Sequence, residues 1–190
     1  ERSAKAALQG KFRAMIWWQG EANGFPWSCT NVADYKLLLE QMRNAWQTDL
    51  CDLEHTFFFQ EQPCGGFGIT PECMIQVQEA QRQISLEIAY VSMLTTGHFE
   101  MSSDNCHFTE EGYLQAGNDL SSLLTQNLYD HQADNNLPFI RELTYSDCSR
   151  TGLILSLNDP ENINIDLSHL SDLQLNGDSI TKIESIHAAA

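Results

Sequence analysis

The stretch from Phe12 to Trp18 is apolar apart from Arg13, and it stops abruptly at Gln19-Gly20-Glu21-Ala22-Asn23. A run of this kind reads as a buried strand. In an open α/β sheet, ligands meet the protein at the loops that follow the carboxyl ends of the strands. An amide, a glycine and a carboxylate in that turn suit a site that donates hydrogen bonds and holds charge. The same residues also suit an ordinary strand-to-helix connection, and on their own they do not separate the two.

Beyond this turn the chain alternates between helix and strand. Residues 20–31, with Gly24, Pro26 and Cys29, read as a loop too irregular for an element. Asn31 can cap a helix from about Val32 to Thr48, whose apolar positions Tyr35, Leu38, Leu39, Met42 and Trp46 recur at three- and four-residue intervals. Thr56 to Phe59 is strand-like, and residues 61–70 form a Gly-rich loop. A second helix starts at Pro71, a favourable first-turn position, and runs to about Ile84. Ile88 to Leu94 reads as another strand. Thr109 can cap a third helix reaching Tyr129, with Glu110 and Glu111 where the helix dipole favours acids. Such alternation predicts a parallel sheet covered by helices. Three strands are few for such a sheet, and the pattern opens on a helix end (residues 1–10) rather than on a strand, so the sheet is expected to be incomplete at its N-terminal side. Beyond the polar linker at 130–137 the composition changes to short segments at 139–145, 151–157, 162–167, 171–176 and 180–186, separated by turns such as Asn176-Gly177. The expected organisation is residues 1–130 as one α/β unit and 131–190 as a small all-β module.

A formal charge of −16, from 10 basic and 26 acidic residues, argues against nucleic acid, whose phosphates call for a cationic surface. No apolar run approaches the roughly 18 residues a membrane helix needs. The first ten residues lack the apolar core of a signal peptide. The six cysteines form no C-x-x-C pair and match no zinc spacing. Scattered cysteines in even number suit disulfides in an oxidising compartment, with Cys64–Cys73, bracketing the Gly-rich loop, as the favoured pair; six reduced, buried thiols would be the alternative.

Asp104-Asn105-Cys106-His107 lies after a strand and just before a helix. An Asp three residues before a His, held in a turn, can accept the imidazole Nδ1–H and leave Nε2 to take a proton from a nucleophile. Alone the pattern is weak, and His107 also fits a helix-start residue bonded to the backbone.

The two segments together resemble the SGNH hydrolases, and within them the sialate O-acetylesterase-like carbohydrate esterases. Ile16-Trp17-Trp18-Gln19-Gly20-Glu21-Ala22-Asn23 is similar to the W-Y-Q-G-E-S-N segment of that family. The Tyr35 to Trp46 helix, the Gln78-Glu79-Ala80-Gln81 stretch and Asp104-x-x-His107 resemble its later motifs. The resemblance implies an α/β three-layer sandwich of SGNH or flavodoxin-like type, followed by a small β region. It also implies hydrolysis of O-acetyl esters on sialic acid or another carbohydrate through a Ser-His-Asp mechanism, without metal or cofactor. His107 would be the general base and Asp104 its orienting partner. Gln19 and Gly20 fall where the family places oxyanion-stabilising or site-shaping groups, and Gly20 would offer an accessible N–H. Glu21, which cannot donate when ionised, would orient a neighbour or bind a sugar hydroxyl, with Asn23 lining the same pocket. Extracellular, secretory or lysosomal placement goes with such an enzyme.

One departure stands out. The family's serine lies in an early turn after the first strand, and no such segment precedes Phe12. The nucleophile is therefore expected outside this chain, in the preceding part of the same protein or in a partner chain; a non-catalytic, esterase-like component of an extracellular assembly is the alternative. Gly177-Asp178-Ser179 spells the nucleophile signature of other branches, but its use would require a circular permutation, and the Asn176-Gly177 hairpin accounts for the same residues. Ser28, Ser102 and Ser103 lack a strand-turn-helix setting. A glycosidase pair of Glu21 and Asp104 would leave His107 idle, and His98, Cys106 and His107 have no recognised metal spacing. Trp17, Trp18 and Trp27 are candidates for stacking on sugars, with at least one of the first two assigned to the core.

Overall fold

The computed structural model describes residues 5–6, 8–50, 53, 55–59, 67–129, 140–149 and 152–157. The chain divides into two compact units, Glu1–Leu137 and Pro138–Ala190. The first contains β1 (Ala14–Trp17), α1 (Val32–Asp49), β2 (His55–Phe59), α2 (Pro71–Glu87), β3 (Val91–Leu94) and α3 (Glu110–Tyr129). The three strands form a parallel sheet in the order β1-β2-β3. Ala14 faces His55 across the first pair, and Thr56 faces Val91 across the second.

Successive residues of a strand point to opposite faces of the sheet, and the core follows that rule. Trp17 packs with Tyr35 and Leu39 of α1 and with Met74, Val77, Ala80 and Ile84 of α2. Its neighbour Trp18 packs with Phe99, Phe108 and Ala116 on the side of α3. Val91 belongs to the first cluster and Leu94 to the second. The sheet is thus a middle layer between α1 and α2 on one face and α3 on the other: the helix-covered parallel sheet that the alternation predicts, in the three-layer arrangement that the resemblance implies. In α2 the residues Met74, Val77, Ala80 and Ile84 recur every three or four positions and are essentially inaccessible; burying a large apolar side chain of this kind stabilises a fold by about 1.5–3 kcal/mol.

The helix starts follow the sequence. The Asn31 side chain accepts the Asp34 N–H at 2.9 Å, and the Thr109 hydroxyl accepts the Gly112 N–H at 3.1 Å. Both bonds satisfy donors that the first helical turn leaves unpaired. Four expectations are corrected. Residues 20–31 contain one turn of 3-10 helix, Glu21–Gly24. Leu38 is exposed, because the face that α1 buries carries Tyr35, Leu39 and Arg43 instead. Arg43 reaches inward to donate to the Ala89 carbonyl at 3.2 Å. Ile88 ends α2 rather than starting β3, its N–H still bonded to the Ile84 carbonyl. Finally, Cys73 pairs with Cys29, not with Cys64. Cys73 lies in the first turn of α2, and the 3-10 turn docks against that turn: the Thr70 N–H donates to the Gly24 carbonyl at 2.9 Å. Gly24 permits the approach, since a Cβ there would meet Ile69 at 2.7 Å and Met74 at 2.8 Å.

In the second unit, β4 (Ile140–Tyr145) and β5 (Leu153–Leu157) form an antiparallel pair with Leu143 opposite Leu155. The segments expected at 162–167, 171–176 and 180–186 lie outside the described residues, as does Ser179. No helix among the described residues is long and apolar enough to cross a membrane.

Candidate active site

Because the strands are parallel, the loops after β1 and β3 leave the same edge of the sheet. That edge carries an open cavity of about 680 Å³ whose walls include Trp18, Glu21, Phe25, Phe67, His107 and Tyr113. Glu21 and His107, 86 positions apart in sequence, are thereby brought to one cavity.

His107 sits at the end of a tight turn. Met101 bridges Phe108, and the Ser102 N–H donates to the His107 carbonyl at 2.8 Å. Asn105 takes a positive φ of 54° to close the turn, a conformation that Asn tolerates better than most side chains. One carboxylate organises the loop. Asp104 Oδ2 accepts from His107 Nδ1 at 2.6 Å, while Oδ1 accepts the Ser102 hydroxyl at 2.5 Å and the N–H groups of His107 at 2.9 Å and Cys106 at 3.0 Å. The spacing of these two residues therefore does locally what it predicts. Cys106 is also disulfide-bonded. The next residue after the pair, Phe108, anchors the turn inside an aromatic cluster with Trp18, Phe99 and Tyr113, at ring separations of 5.4–5.9 Å.

The hydrogen bonds from the Ser102 hydroxyl, the His107 ring and the two N–H groups hold the Asp104 carboxyl well below the usual carboxylate range. Its folded pKa is lowered, so its contribution to stability is present above the ordinary aspartate value, about 3.9, and is lost as pH falls through the lower folded value. An NMR titration of the Asp104 carboxyl carbon is expected to find it still ionised at about pH 3, where a free aspartate is mostly protonated. A midpoint at the ordinary value would overturn this reading of the turn.

The other half of the site is arranged differently from the expectation. Gly20 is buried, and its N–H is not open: it donates to Glu21 Oε2 at 3.1 Å. The Glu21 carboxylate, one residue ahead, is the acceptor, and the turn closes on it. Glu21 is thus an orienting group for its own turn as well as part of the cavity wall. Gln19 and Gly20 lie beside the cavity rather than in its wall. The Gln19 carbonyl accepts from the Tyr35 hydroxyl at 3.1 Å and from Gln81 Nε2 at 3.3 Å, and Gln81 also reaches the Tyr35 oxygen at 3.4 Å. Gln81 is fully buried, and a buried amide needs such partners. Asn23 bonds Thr30 at 2.7 Å and so braces the loop. Ser28 donates its hydroxyl to the Ala22 carbonyl, and the Ser102 hydroxyl is spent on Asp104.

Sequence reasoning missed one polar contact near this edge. His98 Nε2 meets Asp119 Oδ2 at 2.7 Å, and Gln115 donates to the other oxygen of this buried carboxylate at 2.7 Å. The contact ties the β3 loop to α3. Its partners are 21 positions apart, so no local spacing announces it. Among the described residues no group of His, Cys, Asp and Glu is placed to hold a metal ion.

Comparison with known proteins places the chain. A family model described as carbohydrate esterase, sialic acid-specific acetylesterase matches residues 2–126. No curated protein sequence matches. Among solved structures the chain is similar to a protein of Arabidopsis thaliana, with 23% identity over 64% of this chain and 47% of that one, at a TM-score of 0.51. It is also similar to a carbohydrate acetylesterase from Xanthomonas citri, with 16% identity over 69% of this chain and 29% of that one, at a TM-score of 0.51. The chain spans less than half the length of either structure, and at these identities the likeness is one of fold. The family match, by contrast, covers more than half of the chain and includes both the Gln19-Gly20-Glu21 turn and the Asp104–His107 pair: the chain belongs to the carbohydrate esterase family of sialic acid-specific acetylesterases.

Proposed function

We propose that the protein removes O-acetyl groups from sialic acid or another carbohydrate by acyl transfer to a serine, with His107 as general base and Asp104 as the residue that orients it. The observation that carries this reading is the 2.6 Å contact between Asp104 Oδ2 and His107 Nδ1 at the edge of the cavity. An ionised carboxylate only accepts, so Nδ1 carries the proton and Nε2 is the basic nitrogen.

The steps then balance. The serine oxygen attacks the acetyl carbonyl as His107 Nε2 takes the hydroxyl proton. The tetrahedral intermediate collapses, and the sugar oxygen leaves with that proton. Water then attacks the acetyl-serine, giving one proton to His107; the second tetrahedral intermediate collapses, the serine oxygen takes that proton back from His107, and acetic acid departs and ionises to acetate. For the Gln19 side-chain amide and the Gly20 N–H to serve as oxyanion donors the Glu21 turn would have to rearrange on binding, because both residues lie beside the cavity and Glu21 holds the Gly20 N–H. Losing one such donor typically costs about 10²–10³ in rate.

The serine lies outside this chain in this reading, in another part of the same protein or in a partner chain. Residues 1–130 are then the C-terminal part of the esterase domain and 131–190 a small β module. Among the described residues β1 pairs with β2 alone. A further strand along the other edge of β1 would bring its terminal loop beside Gln19 and the cavity. The Cys29–Cys73 disulfide supports an extracellular, secretory or lysosomal setting. Labelling the full protein with a fluorophosphonate and mapping the adduct by mass spectrometry tests the assignment. Modification of one serine outside these 190 residues, slowed by excess acetyl ester present during labelling, is the expected result. Modification of Ser179, or none at all, would overturn it.

A further inference from the structure

The cavity beside His107 continues outward onto an aromatic surface that the proposed chemistry does not use. Phe25 forms part of the cavity wall, and Trp27 stacks on it with ring centroids 4.6 Å apart and planes only 15° from parallel. Trp27 is nevertheless 78% exposed, so its outer face meets solvent. An isolated exposed apolar residue needs no explanation. A flat, stacked pair that extends the wall of a reaction cavity is a different case, because it is a contiguous apolar surface leading into a site.

The loop that carries the pair is braced on every side. The Ser28 N–H donates to the Phe25 carbonyl at 3.0 Å, and its hydroxyl bonds the Ala22 carbonyl. Asn23 bridges to Thr30 at 2.7 Å, and Cys29 is fixed to α2 through Cys73. Trp27 is therefore held in place before any ligand arrives. A rigid aromatic with few rotatable bonds loses little entropy on binding, and that is the usual advantage of a preorganised contact.

We propose that the Phe25–Trp27 stack is a subsite for the sugar ring of the substrate, with the outer face of Trp27 taking the apolar C–H face of a pyranose while the acetyl group enters the cavity beside His107. A pyranose presents a flat patch of C–H groups on one face and hydroxyls around its rim, so an exposed indole covers the first and leaves the second in water. The inference rests on the esterase reading for the direction of the acetyl group, but not for the ring contact itself.

The test uses the full protein and three substrates: an O-acetylated methyl glycoside of a neutral pyranose, an O-acetylated methyl sialoside, and ethyl acetate, which has no ring. Trp27→Ala is expected to raise the KM of at least one glycoside roughly three- to tenfold relative to that of ethyl acetate, the size of one aromatic contact. Trp27→Phe should restore most of the loss. The glycoside whose KM responds names the ring. An equal change for glycosides and ethyl acetate, or no change for either glycoside, would overturn the subsite. A separate arm needs no hydrolysis. Titration with the unacetylated methyl glycosides should shift the NMR signal of the Trp27 indole N–H, which is assigned by its loss in Trp27→Ala. If the protein cleaves none of the esters but the indole signal shifts, the esterase reading falls and the ring subsite stands. If neither glycoside moves the signal, the subsite falls whatever the esterase assays show.

Discussion

Replacing His107 with alanine in the full protein is expected to lower kcat for an acetyl ester by about 10⁴-fold or more while leaving the unfolding midpoint nearly unchanged. The first half follows from the role of the residue. In the proposed mechanism the serine hydroxyl would have no base without Nε2, and triad members removed singly cost nearly as much as the whole set. The second half follows from the fold. The His107 side chain is 63% exposed, and its one strong partner, Asp104, is itself at the surface, so its removal leaves no buried group unsatisfied. The backbone of the turn also keeps its own bonds, since Asp104 still accepts the N–H groups of residues 106 and 107. Initial-rate kinetics with an O-acetylated sugar and a denaturant titration check both halves. Unchanged turnover would remove His107 from the mechanism, and a collapse of stability would mean that the variant reports on folding instead.

Removing the Cys29–Cys73 disulfide is expected to have the largest effect on stability. The two cysteines are 44 positions apart, and closing a loop of that size restricts the unfolded chain by enough to stabilise the fold by about 2–4 kcal/mol. The double replacement Cys29→Ala with Cys73→Ala is the suitable variant, because Cys73 is buried and alanine leaves no polar group there without a partner. Guanidinium unfolding of the variant against the parent, both under oxidising conditions, measures the loss; a change below about 0.5 kcal/mol would show that the docking of Gly24 on α2 holds the loop without the bridge. The same bridge steadies Phe25 in the cavity wall, so the variant should also raise KM for the acetylated sugar.

The α/β unit of the chain was legible in its sequence to an unequal degree. The strands, the helices and the Asn31 and Thr109 caps follow from periodicity and from side chains that reach their own backbone a few residues away. The Asp104–His107 pair is of the same kind: three positions and a tight turn bring an acceptor to Nδ1 whatever the rest of the fold does. The motif around Gln19, Gly20 and Glu21 pointed to the family.

Contacts between distant segments decided the remainder, and no local rule encodes them. Cys73 pairs with Cys29 because the 3-10 turn docks on the first turn of α2, a packing set by Gly24 against Ile69 and Met74. Leu38 lies outside because α1 turns Arg43 inward to the Ala89 carbonyl. The Gly20 N–H belongs to Glu21, and the Gln19 carbonyl is held by Tyr35 and Gln81 from two different helices. The apolar run before Gln19 therefore determined, by itself, that a strand would end in a polar turn at the sheet edge; it did not determine burial, since β1 is only half-buried and Ile16 is exposed. Which atoms of that turn remain available to a substrate was decided by tertiary packing, because a hydrogen-bond donor is consumed by whichever acceptor the folded chain brings nearest.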